Sequence, residues 1–218
     1  MPKEVDHDER REELLEAVWR VIARDGLERA TMRALANETG WSTGVLAHYF
    51  TDKDHILESA LILAYGRIAA RWDRKLAGLA PTAALYELVL DNLPLDDERE
   101  LETKFIMNYW TALIRGGSGL PRPPEGGPTL IDRLATLARA AQEAGEMRPD
   151  EAPEDIAERL LALIDGFSLH SLLNPERLTR ERQVSLVEQE FTRLRVPQRT
   201  GVAAGDGATN TRRRKSHA

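Results

Sequence analysis

Apolar residues recur every three or four positions along most of the chain. Leu14, Val18 and Ile22 stand at successive i+4 positions on a segment whose other face is charged, which predicts a helix from Asp8 to Asp25 closed by Gly26. Thr31 then reads as the N-cap of a short helix carrying Met32, Leu35 and Ala36 that stops at Gly40. Ser42 caps a second short helix reaching Tyr49 and Phe50. Asp52 caps a long one from Lys53 to Ala77, with Ile56, Leu57, Ala60, Leu61, Ala64 and Ile68 along one side. The same spacing predicts helices over Thr82–Leu93, Asp96–Arg115, Thr129–Ala144, Pro153–Leu173 and Thr179–Arg195. That makes about nine helices and no convincing strand. Residues 116–128 are dominated by Gly and Pro, which lack a Cβ or a backbone donor, so a long loop is expected there. From Arg199 onward the composition predicts a disordered tail.

Composition strengthens the helical reading. The 218 residues hold 57 Leu and Ala against 18 Val and Ile, the balance of helices rather than strands. Cysteine is absent, which removes disulfides, thiolate catalysis, zinc–thiolate sites and iron–sulfur clusters together. The longest wholly apolar run, Ala60 to Tyr65, is far too short to span a bilayer. The first twenty residues carry Glu4, Asp6, Asp8, Glu9, Glu12 and Glu13 where a signal peptide needs a basic and then an apolar segment, so a cytoplasmic protein is expected.

Residues 31–53 carry the chemistry. Two short helices joined by a tight turn at Gly40-Trp41-Ser42 form a helix-turn-helix, with Leu35, Ala36, Leu46 and Phe50 closing a miniature core. The second helix is then held out from the body. Its residues Thr43, Gly44, Val45, Ala47, His48 and Tyr49 include no acid, as a groove walled by phosphates requires. Net charge argues the other way, with eight basic against thirteen acidic residues over positions 1–58. Many of these acids gather on the first helix at Glu9, Glu12, Glu13 and Glu16, where they can face away from DNA while Arg33 and Lys53 flank the reading helix. His48 and His55, with Asp52 between them, fall about two turns apart. The break at Thr51-Asp52 denies them a common helix face, so neither a metal nor any other cofactor is expected.

From Thr31 to Leu57 the chain reads Thr-Met-Arg-Ala-Leu-Ala, then Gly-Trp-Ser-Thr-Gly-Val-Leu-Ala-His-Tyr-Phe, then Asp-Lys-Asp-His-Ile-Leu. This pattern resembles the DNA-binding domain of the tetracycline-repressor (TetR) family of bacterial regulators. Together with Ala162-Leu-Ile-Asp-Gly-Phe-Ser-Leu-His170, it is most similar to the branch that contains the choline-responsive betaine regulator, BetI. The resemblance implies an all-α protein with a three-helix DNA-binding domain at 1–52, a helical ligand-binding and dimerisation domain at 53–198, and a tail at 199–218. It implies a homodimer, joined through residues 153–195, that represses from a palindromic operator and is released by a small-molecule effector. Thr31 and Arg33 would then sit at phosphate or base, Ser42, Thr43, Gly44, Val45, Ala47 and His48 at the major groove, and Tyr49 and Lys53 at the backbone. Trp41 and Ala47 depart from the family's usual small aliphatic residue and Tyr.

The remaining aromatics concentrate in the expected second domain, 53–198. Trp72, Phe105, Tyr109, Trp110 and Phe167, with His170 as a polar contact, are the residues expected to line the effector pocket, whose rings would suit a choline-like cation. Ile156, Leu160, Leu161, Leu163, Ile164 and Phe167 form a band too wide for one neighbour, which with Gly166 predicts a helix packed on a second copy. A helical enzyme competes poorly, because Asp165 and His170 do not share a face and no Ser or Cys stands in a nucleophile elbow. A helical adaptor without a DNA role is the third class. The basic run Arg212–Lys215 is expected to be a solvated tail.

Overall fold

The computed structural model describes residues 7–26, 29–115 and 128–196, without the side chains at 7–12, 53, 54 and 112. All but Pro128 of the expected loop at 116–128, the tail from Arg199 with its basic run, and the side chains of Glu9 and Glu12 lie outside the described residues. Within them the chain forms α1 (His7–Asp25), α2 (Met32–Thr39), α3 (Thr43–Tyr49), α4 (Lys53–Leu76), α5 (Pro81–Asp91), α6 (Asp97–Ile114), α7 (Leu130–Glu143), α8 (Pro153–Leu173) and α9 (Arg180–Leu194). Extended pairing among the described residues is limited to one isolated bridge, Met147 with Arg195.

Helix ends fall where local chemistry puts them. The Ala34 N–H donates to Thr31 Oγ1 at 3.2 Å, Val45 N–H to Ser42 Oγ at 3.2 Å and His55 N–H to Asp52 Oδ1 at 2.8 Å, each filling a donor that the first turn leaves unpaired. Gly40 ends α2 at φ 71°, a left-handed conformation that a side chain would strain, and the chain can therefore turn at once into α3.

Two apolar cores result. The first joins α1, α2 and α3 to the start of α4, with Leu14, Val18, Ile22, Leu35, Leu46, Phe50, Ile56 and Leu61 all buried. The second joins the end of α4 to α5, α7, α8 and α9, through Trp72, Leu85, Leu88, Leu134, Ile156, Leu160 and Phe191 among others. α4 runs through both. Phe105 of α6 belongs to the first core, edge-on to Trp19 of α1 at 6.4 Å, and α1 packs against both α4 and α6. The reading head is therefore plugged by a helix that the sequence assigned wholly to the second domain.

Candidate nucleic-acid interface and effector site

The helix-turn-helix sorts its residues by burial. Leu35 and Leu46 are 0 % exposed and Phe50 1 %, closing the small core, while Thr43, Gly44, Val45, Ala47 and His48 are all exposed on α3. Val45 is unusual in keeping a β-branched apolar side chain in solvent. A Cβ at Gly44 would meet only Ser42 Oγ, at an ordinary 3.8 Å, so packing does not demand glycine there. Tyr49 is half-buried between the rings of Trp41, at 5.8 Å, and His48, at 5.6 Å. Trp41, anomalous in sequence, thus braces the side chain at the end of the reading helix. Thr31 and Arg33 are exposed at the start of α2. Lys53 opens α4, but its side chain lies outside the described residues.

Three of the nearby acids, Glu16, Asp25 and Glu38, are held by arginines. Glu38 on α2 accepts from Arg24 Nη2 at 3.1 Å, and the same guanidinium reaches Asp25 at 2.8 Å. That pairing with Asp25 and Glu38 raises the Arg24 pKa and, at Asp25, holds the carboxyl below its usual range. Glu16 of α1 pairs with Arg67 of α4 and approaches Arg20 at 3.6 Å. His55 accepts the Thr51 N–H through Nδ1 at 3.4 Å and packs on Phe50, while His48 lies on Tyr49.

The six residues expected around an effector do not converge. Trp72 is buried in the second core and one face of its ring is already covered by the Arg133 guanidinium, 5.5 Å from the centroid. Phe105 is spent on Trp19 in the first core. These neighbours lie 61 and 86 residues away along the chain. His170 is exposed on α8. None of the six lines the cavity among α1, α4 and α6 or the one beside the α8–α9 turn. Tyr109, Trp110 and Phe167 remain half-buried, and the Trp110 indole N–H is buried with no acceptor. Tyr65 of α4, unassigned from sequence, lies near Tyr109: burial and then that neighbour push its phenol up. Only the fold brings Tyr65 and Tyr109 together, since nothing local pairs α4 with α6.

The α8 face also differs from expectation. Ile156, Leu160 and Ile164 are buried within the chain, and Leu161, Leu163 and Phe167 pack partly against the same core. The face left open carries Ala162, Gly166, Leu169 and Leu173 instead, the two leucines 45 % and 64 % exposed. A Cβ at Gly166 would meet nothing within 4 Å in the single chain. Asp165, half-buried, has its carboxyl pushed up by desolvation.

Comparison with known proteins agrees with this architecture. Residues 14–60 match the model of bacterial regulatory proteins of the tetR family, and residues 81–196 match that of the BetI-type transcriptional repressor C-terminal region. The transcriptional regulator PksA of Bacillus subtilis is 32 % identical over 192 residues, covering 87 % of this chain and 91 % of its own. BetI of Pectobacterium carotovorum is 26 % identical over 200 residues, covering 88 % of this chain and 100 % of its own. A regulator from Saccharomonospora viridis solved in complex with choline shares the fold, with a TM-score of 0.73 at 24 % identity over 85 % of this chain and 97 % of that one. The chain belongs to the TetR family of bacterial transcriptional regulators, with a C-terminal region of the BetI type.

Proposed function

We propose that the chain is a cytoplasmic repressor that grips a palindromic operator as a homodimer and releases it when a small cation enters the second domain. The observation that carries the reading is the sorted surface of α3. Five consecutive-face positions are exposed and free of acid, and they are presented by a helix whose inner residues are sealed. Such a surface suits a phosphate-walled groove. Thr43 and His48 supply hydrogen-bonding groups for base edges, Val45 an apolar contact for a thymine methyl, and Gly44 room for the backbone to approach. Thr31, Arg33, Tyr49 and Lys53 flank these positions and serve the phosphates. Capture of Glu16 and Glu38 by arginines reduces the repulsion that the sequence count implied.

The dimer reading rests on α8. Ala162, Gly166, Leu169 and Leu173 stand at i, i+4, i+7 and i+11, an apolar stripe whose glycine admits close approach of a second helix. The effector reading rests on Tyr65, Tyr109, Trp110 and Phe167, half-buried aromatics with an unsatisfied indole donor. Cation–π attraction makes choline-like cations the first effectors to try. The test is fluorescence anisotropy with DNA from upstream of the protein's own gene. Two chains should bind per duplex in preference to a scrambled duplex, and the effector should weaken binding about 5- to 150-fold, the usual range of allosteric coupling. Equal affinity for the scrambled duplex would overturn the reading.

A further inference from the structure

Where α1, α4 and α6 meet, the structure holds a cavity of about 260 Å³. Its floor is apolar, formed by Leu63 and Ala64 of α4 and by the ring of Trp19 on α1. Its rim is charged. Along α4, Arg67, Arg71 and Arg74 stand at i, i+4 and i+7 and share this wall. Arg71 is fully engaged, donating to Asp91 at 2.7 Å and to both oxygens of Glu102 at 2.6 and 2.7 Å. Arg67 pairs with Glu16 through one nitrogen. Arg74 makes no hydrogen bond or ion pair among the described residues, and it is exposed at the rim. Opposite it, Glu98 occupies the first turn of α6, where unpaired helix N–H groups favour a carboxylate. The Trp19 indole N–H is buried with no acceptor among the described residues, as are those of Trp72 and Trp110.

The cleft therefore joins an apolar wall to one exposed guanidinium, Arg74, that no described residue pairs. We propose that it is a ligand site distinct from the aromatic effector site, taking a small monocarboxylic acid with an apolar ring. The ring lies on Trp19, Leu63 and Ala64, and the carboxylate takes up Arg74. The volume sits just under the roughly 300–1,000 Å³ typical of small-molecule sites, which fits a single-ring acid. A ligand here touches the reading head directly. α1 rests on α4 through the Glu16–Arg67 pair and on α6 through the Trp19–Phe105 contact, and Glu16, Arg67 and Trp19 line the cavity, so an occupant shifts the seat of α1 without acting through the second core. This last consequence rests on the operator reading above; the binding itself does not.

The test uses the full chain and para-fluorophenylacetate, followed by broadening of its fluorine NMR signal, with the matching amide as control. The acid should bind and the amide should not. Arg74→Gln should weaken binding about tenfold, the size expected for loss of a charge-assisted hydrogen bond. Ala64→Phe, which fills the floor, should abolish it. Should Ala64→Phe fail to fold, the rim variant Arg74→Gln still decides the matter. No broadening by the acid, equal broadening by the amide, or unchanged binding in Arg74→Gln would overturn the site. In operator titrations the acid should change wild-type affinity, and Arg74→Gln should need about tenfold more acid for the same change. Binding by NMR without any change in operator affinity would overturn the regulatory role alone, and absence of operator binding altogether would instead count against the DNA reading.

Discussion

In the reading head the apolar residues Leu35, Leu46 and Phe50 are sealed inside and the side chains of α3 that face outward are left to solvent, whereas at the junction of α4, α5 and α6 the charges themselves are inside. Asp91, with a side chain 1 % exposed, accepts from Arg71 and Lys75 and lies 3.9 Å from Arg99, and Arg71 also binds Glu102. Apolar contact in the head is tolerant of direction, so its outer surface is free to be tuned for a DNA sequence without disturbing the core. A buried carboxylate shared by three cations is not tolerant, because each partner must be met at hydrogen-bond distance. The junction thus fixes how α5 and α6 sit on α4, the helix that runs on into the head.

That contrast can be broken at its strongest points first. Phe50→Ala should remove the plug of the small core at a cost of about 3–5 kcal/mol, abolishing DNA binding while dimerisation and effector binding survive. Hydrogen exchange should show protection lost in α2 and α3 and kept in α7 and α8. Next, Asp91→Ala leaves Arg71, Lys75 and Arg99 facing a void. Because Lys75 and Arg71 keep some contact with water, the cost falls at the low end of the range for broken buried pairs, about 3 kcal/mol. Tm should drop by roughly 6–12 °C for a chain of this size. An unchanged Tm would show that the junction is no more demanding than the head.

Smaller changes sharpen the comparison. Ser42→Ala should cost about 1 kcal/mol by leaving the Val45 N–H without its cap, and operator affinity should fall with it because the cap holds the first turn of α3. The least effect is at the N-cap of α6. The Arg99 guanidinium, donating to Asp96 through Nε and Nη2, holds the Asp96 carboxyl below its usual range. The stability it contributes is present above the ordinary carboxylate pKa of about 3.9 and is lost as pH falls through the lowered value. Asp96→Asn should therefore lose less stability than wild type on acidification; identical acid titrations would contradict this assignment.

The head was legible in sequence because its determinants are local. Thr31, Gly40, Ser42 and Asp52 each act within three or four residues, and the structure uses them as N-caps and a left-handed stop, with helix ends within two residues of expectation throughout. The junction was not legible for the opposite reason. Asp91 follows Leu88-Val89-Leu90 and reads as an ordinary surface acid, and only the fold brings Arg71 and Arg99 to it. Phe105 was placed on the correct helix but in the wrong company, since periodicity tells which face is buried and not what it meets. The Arg133 guanidinium over Trp72 was hidden in the same way. On α8 the pattern marked Ile156, Leu160 and Ile164 as the outward band, yet the chain buries them itself and exposes Leu169 and Leu173.

The central claim is that the exposed face of α3 reads base sequence while the core behind it only presents that face. Selection of binding sites from a random DNA pool tests it most directly, comparing wild type with Thr43→Ala and His48→Ala. Wild type should enrich a palindrome whose half-sites lie about one helical turn apart, roughly 34–36 Å, or somewhat farther. Each variant should fold with unchanged stability and lose preference at particular base pairs, by about 1–3 kcal/mol per lost contact. Enrichment of the same palindrome with the same base preferences by all three proteins would contradict the account.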